Sequence, residues 1–108
     1  MAFNFDQFFD TVKKGVVDIA KEEAADFLDQ AKDDGTAFLE ESKDRLKKWT
    51  TMLEDGKLDK DDFAFLVKGQ KDLAKMNGLT QAGMAAVRID RIRVAVIDLV
   101  IKAAGAIV

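Results

Sequence analysis

The residues most able to do chemistry in this sequence are its acidic and basic side chains, because the chain of 108 residues has no His and no Cys. Those two residue types supply most general bases and many nucleophiles in enzymes. The carboxylates are numerous, but nearly all lie where a helical pattern puts them on a solvated face. We therefore predict that the chain is not an enzyme, and that it has no catalytic residues and no cofactor.

The segment DGKLDKDDF at residues 55–63 looks like the second half of an EF-hand calcium loop. With Gly56 at the sixth loop position, the third ligand position falls on Leu53, which cannot ligate. Calcium binding needs several convergent oxygens, so the sequence predicts no metal site here. It predicts instead that Gly56 ends one helix and that Asp59 caps the next.

Two further groups of charges lie near apolar sequence. Asp98 and Lys102 interrupt the apolar C-terminal run with the spacing of an i, i+4 ion pair, which predicts a structural pair. Arg88, Arg91 and Arg93 have the chemistry to grip a phosphate or a carboxylate, but we expect them to face the acidic first half of the chain. Neither group predicts a ligand site.

Charge is distributed unevenly along the chain, although its net value is only -3. Residues 1–62 hold 17 acidic and 10 basic side chains, whereas residues 63–108 hold 3 and 7. Folding one half against the other would satisfy both. The few basic residues of the second half are not interleaved with aromatic ones, as they would be in a nucleic-acid site. We therefore expect no nucleic-acid partner.

Large apolar residues recur every eleven positions through the first half of the chain. The blocks of this repeat open on Phe5, Val16, Phe27, Phe38 and Trp49. Four and eight positions further on stand mostly small residues, among them Ala20, Ala24, Ala31 and Gly35. Steps of four, four and three residues follow one face of an α-helix. The repeat therefore predicts one long N-terminal helix over about residues 4–55.

The stretch DDGT at residues 33–36 is where this helix could break, since glycine in a helix costs about 1 kcal/mol relative to alanine. The repeat keeps its phase across the stretch, which favours a continuous helix with Gly35 as a point of close contact to another backbone. A break at this stretch remains an alternative. It would give four helices over about 4–32, 36–55, 59–76 and 80–107.

Two shorter helices follow the long one. Apolar spacing predicts the second over about residues 60–76 and the third over about residues 81–107, with Thr80 as the N-cap of the third. The pair Asn77-Gly78 forms the turn between them. The predicted fold class is therefore all-α, an elongated antiparallel helical bundle that forms a single domain over the whole chain.

The lengths of the three helices do not match, and this mismatch predicts self-association. At 1.5 Å per residue the first helix would be about 75 Å long, the second about 25 Å and the third about 40 Å. The two shorter helices cannot cover the N-terminal half of the first, and a large exposed apolar patch usually marks an interface. The predicted interface between copies consists of Phe5, Phe8, Phe9, Val12, Val16, Ile19, Phe27, Ile97, Val100, Ile101 and Ile107.

The eleven-residue period is similar to that of late-embryogenesis-abundant proteins, synucleins and exchangeable apolipoproteins. The likeness covers about residues 5–53 and is one of period, not of motif. Those repeats are usually poor in Phe and Trp, whereas aromatic residues open most of the blocks here. This difference favours a packed helix, so the resemblance implies no shared function.

The sequence thus predicts a non-catalytic structural or interaction protein that forms a homo-oligomeric helical bundle. The alternative is a peripheral protein that lies on a lipid surface through its amphipathic first helix or its apolar C-terminal segment; a different protein partner is also compatible with the pattern. The N-terminus lacks the basic and apolar segments of a secretory signal. No apolar run reaches the ~18 residues of a membrane span, so we expect a cytoplasmic protein.

Overall fold

The computed structural model describes residues 4–71 and 74–105, and every regular element in these two ranges is helical. The elements are α1 (Phe5–Glu23), a 3₁₀ turn (Ala25–Phe27), α2 (Leu28–Glu54), α3 (Lys60–Lys68), α4 (Asn77–Gln81) and α5 (Ala86–Ala104). The predicted all-α fold class is confirmed. Several helix boundaries differ from those predicted, and one of the differences changes how the molecule is built.

α1 begins with a capped turn and buries one face. Asn4 has an extended backbone, and its side-chain oxygen accepts a hydrogen bond from the backbone N–H of Gln7 at 3.1 Å. This cap satisfies one of the amides that have no partner within the helix. The face that follows is the first part of the repeat, and its buried residues are Phe8, Phe9, Val12, Val16 and Ala20.

The prediction of one continuous helix over residues 4–55 is wrong, because the helix breaks at residues 24–27. Ala24 (φ -146°, ψ 44°) and Phe27 (φ -131°, ψ 40°) leave the helical region, and the 3₁₀ turn lies between them. α1 consequently folds back against α2 instead of extending away from it. The local sequence does not indicate a turn here, since residues 24–27 include neither Gly nor Pro.

The alternative break at residues 33–36 is also wrong, because α2 runs without interruption through Gly35. A Cβ atom placed on Gly35 would lie 2.5 Å from Cγ1 of Val16 in α1. The prediction that Gly35 is a point of close contact is therefore confirmed. The element that it contacts is α1 of the same chain.

The connection between α2 and α3 agrees with the sequence. Gly56 follows the end of α2 with a positive φ of 77°, a backbone conformation that glycine adopts without strain. Asp59 then caps α3, with its Oδ1 accepting a hydrogen bond from the backbone N–H of Asp62 at 2.8 Å. Both predictions for this segment are confirmed.

The second half of the chain has an additional helix that its apolar spacing did not predict. α3 ends at Lys68 instead of near residue 76, and the predicted turn at Asn77-Gly78 is the first turn of α4. The third predicted helix begins at Ala86, not at residue 81. Thr80 does not cap it, because the Thr80 hydroxyl donates to the carbonyl of Met76 within α4 at 3.1 Å.

α1, α2 and α5 form the centre of the bundle, and α1 is antiparallel to both neighbours. Gly15 of α1 lies against Leu99 of α5, while Arg88 at the start of α5 reaches Glu23 at the end of α1. α3 covers α2 and α5, and α4 covers α2. The molecule measures 43 × 22 × 19 Å, and its long axis follows α2, whose 27 residues span about 40 Å.

Candidate functional site

The residues predicted to form an interface between copies lie mostly in the core of the single chain. Those that are buried are Phe8, Phe9, Val12, Val16, Ile97 and Val100, and those packed against the core with partial exposure are Phe5, Ile19, Phe27 and Ile101. Ile107 lies outside the described residues. The length mismatch that motivated the interface disappears because the turn at residues 24–27 lets α2 and α5 cover α1. Self-association itself stays a prediction.

Arg88 closes the turn between α1 and α2. Its guanidinium donates two hydrogen bonds to the carboxylate of Asp26, at 2.9 and 3.1 Å, and a third to the carbonyl of Glu23 at 3.2 Å. It also lies 5.9 Å from the ring centroid of Phe27. The hydrogen bond from Arg88 holds the pKa of Asp26 below its ordinary value. The arginine therefore serves the fold, as its predicted orientation toward the acidic half implied.

Arg93 does not follow that expectation. Arg93 donates from Nε to the carbonyl of Ala74 and from Nη2 to the carbonyl of Lys75 at 3.0 Å. It thereby holds the segment before α4, where Met76 is buried and has a positive φ of 54°. Arg91 is exposed at the surface of α5.

Asp34 secures the same segment from the other side. Its carboxylate accepts hydrogen bonds from the backbone N–H groups of Gly78 at 3.0 Å and Leu79 at 2.8 Å. These are amides at the N-terminus of α4, so a side chain in the middle of α2 caps another helix. A cavity of about 280 Å³ beside this cap is lined by Asp34, Ala37, Phe38, Glu41, Lys75, Met76 and Asn77.

The predicted ion pair between Asp98 and Lys102 does not form, and both side chains are exposed. Asp98 instead borders a groove between α3 and α5, described below. In the described part of the chain, no group of three His, Cys, Asp or Glu residues is placed to hold a metal ion. Within the same ranges, no helix combines the length and apolarity needed to cross a membrane.

Exposed apolar side chains concentrate on α3 and α5. In residues 4–71 and 74–105, the large apolar side chains classed as exposed are Phe65 (77 %), Val87 (73 %) and Val94 (41 %). Phe65 lies on α3, one turn before Lys68. Val87 and Val94 lie two turns apart on α5, on the side opposite its buried stripe. The other large apolar side chains in these ranges are buried or partly buried, so this surface stands out.

A groove between α3 and α5 lies beside Val94, one of these side chains. It has a volume of about 280 Å³ and is lined by Lys68, Lys71, Val94, Ile97 and Asp98, whose carbon atoms form most of its wall. An ion pair between Lys71 Nζ and Asp90 Oδ1, 3.0 Å long, ties the segment after α3 to α5 beside it. We call this surface the α3–α5 face and define it by Phe65, Lys68, Lys71, Val87, Val94, Ile97 and Asp98.

Of the residues on the α3–α5 face, only Ile97 was in the predicted interface. The signal for the others was present in the sequence. Phe65 falls outside the stripe of Phe63 and Val67, and Val94 falls outside the stripe of the third helix. A large apolar residue that is out of phase with the core face of its helix indicates exposure.

Comparison with known proteins adds no assignment. The chain matches no protein-family model, no curated protein and no solved structure. Its function is therefore argued from its own residues.

Proposed function

We propose that the chain is a non-catalytic structural protein that self-associates through the α3–α5 face. The observation that carries the proposal is the exposure of Phe65 on α3 and of Val87 and Val94 on α5, with Val94 lining an apolar groove between the two helices. Contiguous exposed apolar surface on a folded domain marks an interaction site. We keep the homo-oligomer predicted from the sequence and propose an interface on α3 and α5 instead of one mainly on α1.

Two features favour a second copy of this chain as the partner. The face carries a protruding aromatic side chain, Phe65, and an apolar groove, which are complementary shapes on one surface. It also carries both signs of charge, with Lys68 at the end of α3, Lys71 just after that end and Asp98 on α5. In a two-fold dimer, every contact between a residue of one copy and a residue of the other occurs twice. Placing α3 against the partner's α5 would bring Lys68 opposite Asp98 at both ends.

The size of the face sets the expected affinity. α5 is about 28 Å long, and two helices side by side are about 20 Å wide. A two-fold contact over this area would bury on the order of 1,000 Å² in total, near the lower limit for a specific interface. We therefore expect a dimer with a dissociation constant on the order of 1–100 µM.

Light scattering after size exclusion, from micromolar to millimolar concentration, tests the proposal with three variants. Phe65→Ser should abolish the dimer without unfolding the chain, since Phe65 is exposed. Lys68→Glu alone and Asp98→Lys alone should each weaken it by like-charge repulsion. An equal mixture of these two variants should restore it, because both cross-axis pairs then join opposite charges. Lys47→Glu mixed with Asp44→Lys, exposed residues of α2, is the matched control.

Two outcomes would overturn the proposal. One is a monomer at every concentration, and the other is a dimer that Phe65→Ser leaves unchanged. A lipid surface, the alternative partner, would use Phe65 and the lysines of the same face, but the acidic groups beside them do not suit anionic lipid. Flotation of the wild type, but not of Phe65→Ser, on phosphatidylglycerol vesicles would favour lipid over a second copy.

A further inference from the structure

The turn that separates α1 from α2 has a composition that suits a helix. Residues 24–27 are Ala, Ala, Asp and Phe, and alanine is the strongest helix former. Ala24 still donates to the carbonyl of Ala20 at 2.9 Å, as it would within α1, and Phe27 lies directly before the first residue of α2. Only a change in the backbone dihedrals of a few residues separates the turn from continuous helix.

The repeat runs across this turn without losing phase. Val16 and Phe38 hold the first position of their blocks and are buried, and Phe27 holds the same position within the turn itself. Ala24 and Gly35 hold the position eight residues later, and both are buried. In a hairpin, the apolar repeats of the two helices need not share a phase, because each helix is oriented separately. A single continuous helix needs one phase throughout to keep its apolar residues on one face.

The contacts between α1 and α2 are symmetric about the turn. Val16 lies against Gly35, Lys13 Nζ lies 2.6 Å from Glu40 Oε1, and Lys43 Nζ lies 5.2 Å from the ring centroid of Phe9. Each of these pairs is centred within one residue of Asp26. Two copies with continuous helices, crossing antiparallel at Asp26, would therefore make every one of these contacts between chains instead of within one.

We propose that a second copy of this chain can supply α1, so that two chains exchange this helix and residues 5–54 become one helix of about 75 Å in each. The exchanged dimer keeps the contacts of α1 with α2 and α5 and gives up the 3₁₀ turn. Arg88, bound to Asp26 and to the carbonyl of Glu23, holds the turn in its closed form. The inference goes beyond the proposed function, because it uses α1 and not the α3–α5 face.

Isotopically mixed cross-linking of the full chain tests the exchange. Equal amounts of ¹⁴N and ¹⁵N protein are unfolded together in urea, refolded at millimolar concentration and treated with a carbodiimide, which joins a lysine to a carboxylate that contacts it. Lys13–Glu40 reports on α1 exchange, while Lys71–Asp90 links the segment after α3 to α5 and stays within one chain. Peptide mass spectrometry then identifies links that carry both isotopes.

In the dimer fraction, we expect about half of the Lys13–Glu40 links to be mixed, the statistical share for two exchanged chains, and no Lys71–Asp90 link to be mixed. Arg88→Gln should raise the yield of this dimer several-fold by releasing the turn, whereas Arg91→Gln, exposed on the same helix, should leave it unchanged. Unmixed Lys13–Glu40 links in every dimer, or the absence of any dimer from Arg88→Gln, would overturn the exchange. A dimer that carries unmixed links and is lost in Phe65→Ser would overturn it while supporting association through the α3–α5 face.

Discussion

Two glycines in the interiors of α1 and α2 have similar sequence settings and different surroundings. A Cβ on Gly35 would lie 2.5 Å from Cγ1 of Val16, a buried β-branched side chain with little rotamer freedom in a helix. A Cβ on Gly15 would lie 2.7 Å from both methyl carbons of Leu99, which is partly exposed and can turn away. Substitution by alanine should therefore destabilise the fold at Gly35 and slightly stabilise it at Gly15.

We expect Gly35→Ala to lower the free energy of unfolding by about 1–2 kcal/mol, because overpacking outweighs the gain in helix propensity. Gly15→Ala, the matched control, should change it by no more than about 1 kcal/mol and in the stabilising direction. Urea unfolding followed by circular dichroism measures both. Val16→Ala should cost less stability in the Gly35→Ala protein than in the wild type, because the two side chains compete for one space. A Gly35→Ala protein as stable as the wild type would contradict the close contact.

At the scale of elements, α4 is the helix that depends most on its neighbours. It has only five residues, fewer than an isolated helix needs to form in water. Asp34 of α2 caps its N-terminus, and Arg93 of α5 holds the carbonyls just before it. The helix is therefore held in place by side chains from two other elements and by the burial of Leu79.

Removal of the cap should open α4 without unfolding the bundle. We expect Asp34→Ala to cost about 1 kcal/mol, as loss of an N-cap does, and to speed hydrogen exchange at the amides of Gly78 and Leu79. Asp33→Ala, one residue earlier and exposed, should change stability by less than about 0.5 kcal/mol. Equal exchange rates at these amides in the two variants would show that Asp34 is not the cap in solution.

At the scale of the whole molecule, two ion pairs join α1 and its adjoining turn to the rest of the bundle. Hydrogen bonds from Arg88 and from Lys13 lower the pKa values of Asp26 and Glu40 in the folded state. A carboxyl group whose pKa is lowered on folding stabilises the fold above its unfolded pKa, and that contribution is lost as pH falls through the folded value. Both groups are exposed, so the effect on stability at neutral pH is small.

We therefore expect the double variant Asp26→Asn, Glu40→Gln to lose less stability than the wild type as the pH falls below about 4. Urea unfolding at a series of pH values measures the difference, and high salt should reduce it by screening. The matched control is Asp29→Asn with Glu41→Gln, exposed residues of α2, which should follow the wild type. A double variant with an unchanged acid profile would contradict the role of these pairs.

The sequence by itself determined the features that depend on neighbours along the chain. Apolar periodicity determined that the elements are helices and which faces they bury, and local chemistry determined the cap at Asp59 and the left-handed end at Gly56. The small residue at Gly35 also indicated a close contact, although the contacting element was left open. Each of these follows from interactions within a few residues or from a repeat along one helix.

Only the tertiary structure decided where the long helix turns and where α4 lies. The turn at residues 24–27 has no local signal, and it is held by Arg88, 62 positions from Asp26 in the sequence. α4 is capped by Asp34, 44 positions before Gly78. Such contacts form only when distant segments pack, because their free energy depends on where other helices bring the partner. The same packing buried the predicted interface of α1 and left the α3–α5 face exposed.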